Sequence, residues 1–239
     1  NSRLSRAEVL KYGMKIIKEE AGKDVVLIGC GMPLSCGIGN VQVMRVGPDT
    51  ATYWKKMMGS FLQTGAMIGV RNSIRNTMVR SIMNKKLWIN DPDCIILRKN
   101  NNNLNKDERL TNINVSILSG GAILYSDNFN ELSADNFKEM SIIDSITDNT
   151  FNGETFPLDL MENEIPELYY NTAGYLGIFN FKNYSVDKII DLNYYQTIIG
   201  RKVNIIKDVW KEKLYYLDNN VLILKKIKQH QGFLFKIVE

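Results

Sequence analysis

The stretch Leu87–Leu97, "LWINDPDCIIL", decides how the rest of the chain is read. Leu87, Trp88 and Ile89, and then Ile95, Ile96 and Leu97, are the two halves of an apolar run of the kind that forms a buried strand. Asn90, Asp91, Pro92, Asp93 and Cys94 interrupt it. Proline cannot donate to a ladder and turns the chain aside, so the polar residues are expected at the strand's exit. Carboxylates placed there can meet a ligand.

The same arrangement recurs upstream. "VVLIG" (Val25–Gly29) reads as a short buried parallel strand followed by Cys30-Gly31-Met32-Pro33-Leu34. "VQVMR" (Val41–Arg45) reads as a second strand, running into Arg45-Val46-Gly47-Pro48-Asp49. "LWIN" is the third strand and "AILYS" (Ala122–Ser126) the fourth. Helical patterns lie between them. Ser5 and Glu8 form a capping box ahead of Leu10, Met14 and Ile17, with Gly22 as the stop. Trp54 to about Asn84 carries Ile74, Met78 and Ile82 at helical steps, Leu110–Leu118 is helical, and Ser133 caps a helix carrying Phe137, Met140 and Ile143. Strands alternating with helices predict a parallel sheet covered by helices, an α/β class. In such folds side chains at the strand C-termini converge on one face.

Near Asn149 the style changes. "ELYYN", "YLGIFNF", "DKIIDL", "NIIKDVW", "KLYYL", "VLILKKI" and "FLFKIV" are short strands parted by polar residues and glycine, and "LDNNV" reads as a hairpin turn. The expected division is 1–148 for the α/β part and 149–239 for an antiparallel β-domain. "KNNNNLN" (Lys99–Asn105) is low in complexity and reads as a loose surface loop.

Composition narrows the function. At 239 residues, 44% hydrophobic and 23% charged, the chain has the profile of a soluble globular protein. A formal net charge of +4 is a mild excess, not the clustered basicity of a nucleic-acid binder. Arg71 and Arg75 share a helical face, but a charged outer face accounts for them, and there is no aromatic interleaving for base stacking. No apolar run approaches the roughly 18 residues that span a bilayer, so neither a membrane nor a nucleic-acid partner is expected. The chain opens on Asn1 rather than Met, which implies that something was removed or that it is a piece of a longer polypeptide. Cys30, Cys36 and Cys94 lack metal-type spacing, and His230 is the only histidine. Zinc chemistry and histidine-activated nucleophiles therefore fit poorly, no metal or cofactor is expected, and reduced thiols suit a cytoplasmic location. Acid–base work would fall to carboxylates.

Taken singly, each polar cluster has a plainer explanation: Asp91-Pro92-Asp93 as an ordinary turn, Arg45 and Asp49 as a surface pair. Taken together, "GCGMPL", "MRVGPDTATYW", "RNSIRNTMVRSIMNKKLWINDPDC" and "SGGAILYSDNFNEL" resemble the second half of a family 36 glycoside hydrolase, the α-galactosidase or melibiase type. The resemblance is close from Ser5 to Asn130 and looser through "QGFLFKIV". It implies a (β/α)8 barrel followed by an antiparallel β-domain of sandwich type. It also implies a retaining mechanism in which one Asp attacks the anomeric carbon and another protonates the leaving oxygen.

Carried onto this sequence, the resemblance makes Asp49 the general acid/base and Arg45 a group that orients carboxylates and sugar hydroxyls. Asp93 becomes a ligand of the galactose hydroxyls, Asp91 a buried partner shaping its turn, Cys30 a sugar-lining residue and Trp54 a residue near the pocket rim. Gly31 stands where the related family 27 has Glu, so that hydroxyl contact is absent. The nucleophile belongs at the end of the family's fourth strand, ahead of a helix like Ser5–Ala21, and is not in this sequence. Counting agrees, since only four parallel strands are expected before Asn149 and a closed barrel needs eight. The expected partners are a galactose-containing oligosaccharide and the missing N-terminal half of the barrel. Because an open half barrel exposes unpaired edges, self-association is also expected, and the fragment alone should be inactive. Asp91 and Asp93 are too close in sequence to clamp a sugar from opposite faces and suit hydroxyl recognition instead. Two alternatives stay open: a galactosyl-transferring relative of raffinose-synthase type, told apart by its products, and a non-catalytic carbohydrate-binding relative, told apart by the absence of a Lys-x-Asp type strand upstream.

Overall fold

The computed structural model describes residues 3–55 and 67–238. Ser5 caps the first helix, α1 (Arg6–Ala21), reciprocally with Glu8: the Glu8 amide donates to Ser5 Oγ at 3.3 Å and the Ser5 amide to Glu8 Oε2 at 2.7 Å. Then follow β1 (Ile28–Gly29), α2 (Leu34–Gly37), β2 (Val43–Arg45), α3 (Val70–Val79), β3 (Ile89–Asp91), β4 (Cys94–Ile95), α4 (Lys106–Leu118), β5 (Leu124–Tyr125) and α5 (Ala134–Asn152). β1, β2 and β3 form one parallel ladder, and β4 and β5 a second.

The interruption in "LWINDPDCIIL" is therefore a joint between two short strands, not an exit into a loop. β3 ends with Asp91 opposite Arg45 of β2, and β4 begins at Cys94 opposite Leu124 of β5. Pro92 ends the first ladder, and Asp93 turns the chain with a φ of 75°. The Asp93 amide, lost to either ladder, donates to Asp91 Oδ1 at 2.7 Å, an Asx-type turn.

Other expectations shift for identifiable reasons. "VVLIG" is not buried: Val25, Val26 and Ile28 are 46%, 63% and 58% exposed, because among the described residues β1 is an edge strand paired only with β2. The helix expected from Trp54 to Asn84 is α3 plus one 3-10 turn, Ser81–Met83, with Trp54 in a bend ahead of it. Residues 56–66 of that expectation lie outside the described residues. "KNNNNLN" is not slack, since Asn105 and Glu108 form a reciprocal cap on α4 and Leu104 is buried. Helix α5 continues to Asn152, so helix gives way to antiparallel strand at Gly153-Glu154.

The tail contributes β6 (Thr155–Pro157), β7 (Leu168–Asn171), β8 (Tyr175–Phe179), β9 (Val186–Asp191), β10 (Ile205–Asp208), β11 (Leu214–Tyr216), β12 (Val221–Ile227) and β13 (Gly232–Val238). Six of them form an antiparallel sheet in the order β11-β10-β13-β8-β7-β6, and β9 pairs with β12. Asn219 and Asn220 make the tight turn of "LDNNV" with positive φ, but its two strands enter different sheets: β11 pairs with β10 and β12 with β9. Alternation sorts the large sheet's side chains between two cores. Leu168, Tyr170, Leu176, Ile178, Phe235 and Ile237 cluster with Ile190, Leu222 and Leu224 of the β9–β12 pair. Tyr169, Tyr175, Phe179 and Leu234 cluster with Ile113, Val115, Ile117 and Leu118 of α4, which binds the tail to the α/β part.

Glycine lets α4 lie this close. A Cβ on Gly177 would run into Leu118 Cδ1 and stand 2.6 Å from the Phe179 ring. Gly177→Ala should therefore cost about 1–3 kcal/mol through overpacking. Urea unfolding of the two proteins measures this, and equal midpoints would show that α4 is not packed against β8 as described.

Candidate active site

The polar clusters meet at the C-terminal ends of β2 and β3. Arg45 ends β2, and its guanidinium addresses three carboxylates. Nε lies 2.9 Å from Asp91 Oδ2, Nη2 lies 3.0 Å from Asp93 Oδ1, and Nη1 lies 3.3 Å from Asp49 Oδ1. The planar fork of arginine allows this, where lysine would offer one point charge. Burial alone works against the charge on Arg45, but the hydrogen bond and charge of Asp91, followed by the charge of Asp93, outweigh it and raise the pKa above its ordinary value.

The three carboxylates differ in surroundings. The side chains of Asp91 and Asp93 are 2% and 8% exposed, while that of Asp49 is 67% exposed. Asp49 follows the Gly47-Pro48 turn, which packs so close to α3 that a Cβ on Gly47 would stand 3.3 Å from Asn76 Cβ. The Asp49 carbonyl accepts from the Gly69 amide at 3.0 Å, so the backbone is tied while the carboxylate faces solvent. Ser73 of α3 donates to the Pro92 carbonyl at 2.8 Å and holds the joint from the helix side.

Sequence reasoning missed Thr50. Its amide donates to Asp93 Oδ2 at 2.6 Å, and its hydroxyl lies 3.0 Å from the same oxygen and 3.1 Å from the Cys94 carbonyl. A threonine after an aspartate carries no motif, and only the fold brings it against Asp93. In the sequence Cys94 reads only as part of the interruption. Burial, then its hydrogen bond to Asp93 and that carboxylate's charge, push its thiol pKa up, so the thiol serves as a neutral neighbour. Cys30 is exposed after β1, within electrostatic reach of Arg45.

Trp54 does not join this cluster. It is 6% exposed and stacks on the His230 ring at 4.4 Å. His230 is itself held by Glu108 Oε1 at 2.6 Å from Nδ1 and Asn183 Oδ1 at 3.0 Å from Nε2. The segment that begins at Asp49 is thus fastened to the tail at its far end. Arg71 and Arg75, the residues weighed above for nucleic acid, both pair with Glu164, at 3.5 and 3.3 Å.

Chemically, the cluster offers a concentration of oxygen acceptors around one permanent cation, with one solvent-facing carboxylate. That arrangement can accept hydrogen bonds from hydroxyls and exchange a proton through Asp49.

No protein-family model matches the chain. Solved structures do. α-Galactosidase I from Mortierella vinacea superposes on 98% of this chain with a TM-score of 0.70 at 11% identity. A GH27 β-L-arabinopyranosidase from Geobacillus stearothermophilus matches 100% of it at 0.70 and 12% identity. The α-galactosidase of Saccharomyces cerevisiae, solved with raffinose, matches 99% at 0.69 and 12% identity. The chain spans 63%, 55% and 69% of those proteins' own lengths. At such identities the likeness establishes a shared fold over nearly the whole of this chain, α/β part and antiparallel tail together.

Removing the guanidinium would strand two buried carboxylates. Arg45→Met should cost about 3–5 kcal/mol, as breaking a buried charge network does. Asp49→Asn should change stability by less than about 1 kcal/mol, because exposed pairs contribute little. Denaturant melts of the two variants test this ordering, which equal losses would contradict.

Proposed function

We propose that this chain is the C-terminal part of a retaining α-galactosidase of the family 36 type, acting on terminal α-galactosides such as those of melibiose and raffinose. The observation that carries the reading is the Arg45 network. It joins the residue that the sequence resemblance makes the acid, Asp49, to the buried Asp91 and Asp93, within a fold shared with α-galactosidases. In this reading residues 1–148 are strands five to eight of a (β/α)8 barrel with their helices, β3 and β4 being two pieces of one strand, and 149–239 are the C-terminal β-domain.

Asp49 protonates the glycosidic oxygen while a nucleophile from an upstream strand attacks the anomeric carbon. It then takes a proton from the water that releases the sugar. Arg45 orients the recognition carboxylates, and these accept hydrogen bonds from galactose hydroxyls. Among the described residues β1 and β5 each have a partner on one side only, as ends of a half barrel would. One face of α1 supports the same reading: Val9, Tyr12 and Ile16 are 53%, 63% and 42% exposed, apolar area that a neighbouring unit would cover. The equal fit to an arabinopyranosidase makes the sugar a matter for assay, so aryl α-galactoside and aryl β-L-arabinopyranoside belong side by side.

Two outcomes test the proposal. Expressed alone, residues 1–239 should show no turnover of an aryl α-galactoside above an Asp49→Ala control, since one carboxylate completes half of the two-carboxylate mechanism. Turnover by the isolated chain would refute the fragment reading. In a polypeptide that also carries the preceding strands, Asp49→Asn should abolish hydrolysis of raffinose but spare more of the glycosylation step on an activated aryl galactoside, whose leaving group needs little protonation. Equal losses in single-turnover glycosylation would remove Asp49 from the acid's role.

A further inference from the structure

Asp93 poses a problem of capacity. Each carboxylate oxygen offers two lone pairs. At Oδ2 both are taken by one residue, through the Thr50 amide at 2.6 Å and the Thr50 hydroxyl at 3.0 Å. Oδ1 is held by Arg45 at 3.0 Å, the Cys94 thiol also hydrogen-bonds this carboxylate, and the side chain is only 8% exposed. A sugar hydroxyl donating to Oδ2 must therefore displace a donor already there. The amide cannot leave without moving the backbone next to Asp49. The hydroxyl can, because a second acceptor, the Cys94 carbonyl, already stands 3.1 Å from Thr50 Oγ1. One hydroxyl proton faces two acceptors at nearly equal distance.

We infer that Thr50 is a positioning residue whose hydroxyl exchanges acceptors when substrate binds. In the free protein it donates to Asp93 Oδ2. When a galactose hydroxyl donates there instead, the Thr50 hydroxyl rotates to the Cys94 carbonyl. The proton count is unchanged, since the ligand brings its own proton and Thr50 keeps its own. The exchange leaves no buried donor unmet, and in both arrangements the Thr50 hydroxyl adds a second tie, to Asp93 or to the Cys94 carbonyl, beside the one its amide makes next to Asp49. The recognition site can thus fill without loosening the residue that follows the proton donor. The inference rests on the galactosidase reading above.

The test uses the polypeptide that carries the preceding strands, with Thr50→Val, which keeps the shape and removes the hydroxyl, and Thr50→Ser, which keeps the hydroxyl. Thr50→Val should lower kcat on an aryl α-galactoside on the order of tenfold to a hundredfold, through misplacement of Asp49. KM should not rise, because Oδ2 gains a free lone pair. Thr50→Ser should restore kcat to near the parent's. A general loss of packing would not be rescued by the smaller serine. Unchanged kcat in Thr50→Val, or a rise in KM alone, overturns the inference while leaving the galactosidase reading standing. An inactive parent overturns both. If Thr50→Val does not fold, the parent itself decides: galactose should shift the Ile95 amide nitrogen resonance, because the carbonyl bonded to it gains a hydrogen bond. A titration that moves the signals of Arg45 and Asp93 but not Ile95 overturns the inference.

Discussion

A single guanidinium holds this structure's working end together. Arg45 cannot lose its charge at any ordinary pH, and it stands among carboxylates from three points of the chain: one residue beyond a turn on its own strand's exit, one at the end of the neighbouring strand, and one past a proline. Removing Asp91 and Asp93 from water would be prohibitive without a counter-charge. Such a network is not a large net source of stability, since the desolvation it demands consumes most of the attraction. What it supplies is direction. The guanidinium is planar, so three contacts made at once fix the Asp91–Asp93 joint against the end of β2 and the Asp49 turn.

Those segments meet there because one strand is broken. With the joint at Pro92-Asp93, the first piece pairs with β2 and the second with β5. The amide freed by the break is taken up by Asp91, and the carbonyl of Pro92 by Ser73. The same two aspartates that make the break tolerable are the ones Arg45 holds, so the joint and the charge network are a single device.

Much of this was legible in the sequence, and the limits have a physical cause. The capping box at Ser5 and the cap at Ser133 are local chemistry, and both are formed as read, the second closed reciprocally by Asn136. The strand read at "YLGIFNF" is likewise local and forms as β8, but that its side chains divide between two cores comes from the fold. Pairing is not local. The apolar run "VVLIG" looks buried because its composition is that of a central strand, yet burial depends on a second neighbour that β1 lacks among the described residues. "LDNNV" has the backbone of a hairpin turn, but nothing within it tells the following strand to pair with β9 instead of β11. At the site, the charged residues stood out because buried carboxylates and an arginine in proline-marked positions are rare. Thr50 and His230 did not, because a hydroxyl and a ring acquire their roles only from what the fold brings against them.

The stack of Trp54 on His230 joins the end of the Asp49 segment to a residue between β12 and β13, across the boundary between the two parts of the molecule. At 4.4 Å and 17° from parallel, the indole's ring current falls directly on the imidazole. The chain has one histidine, so the two carbon-bound protons of that ring have no histidine counterparts elsewhere in it to be confused with. An upfield displacement of a single pair of signals thus reports, without any label, whether the segment bearing the proton donor is seated on the tail. Undocking would return them to the position of a free imidazole.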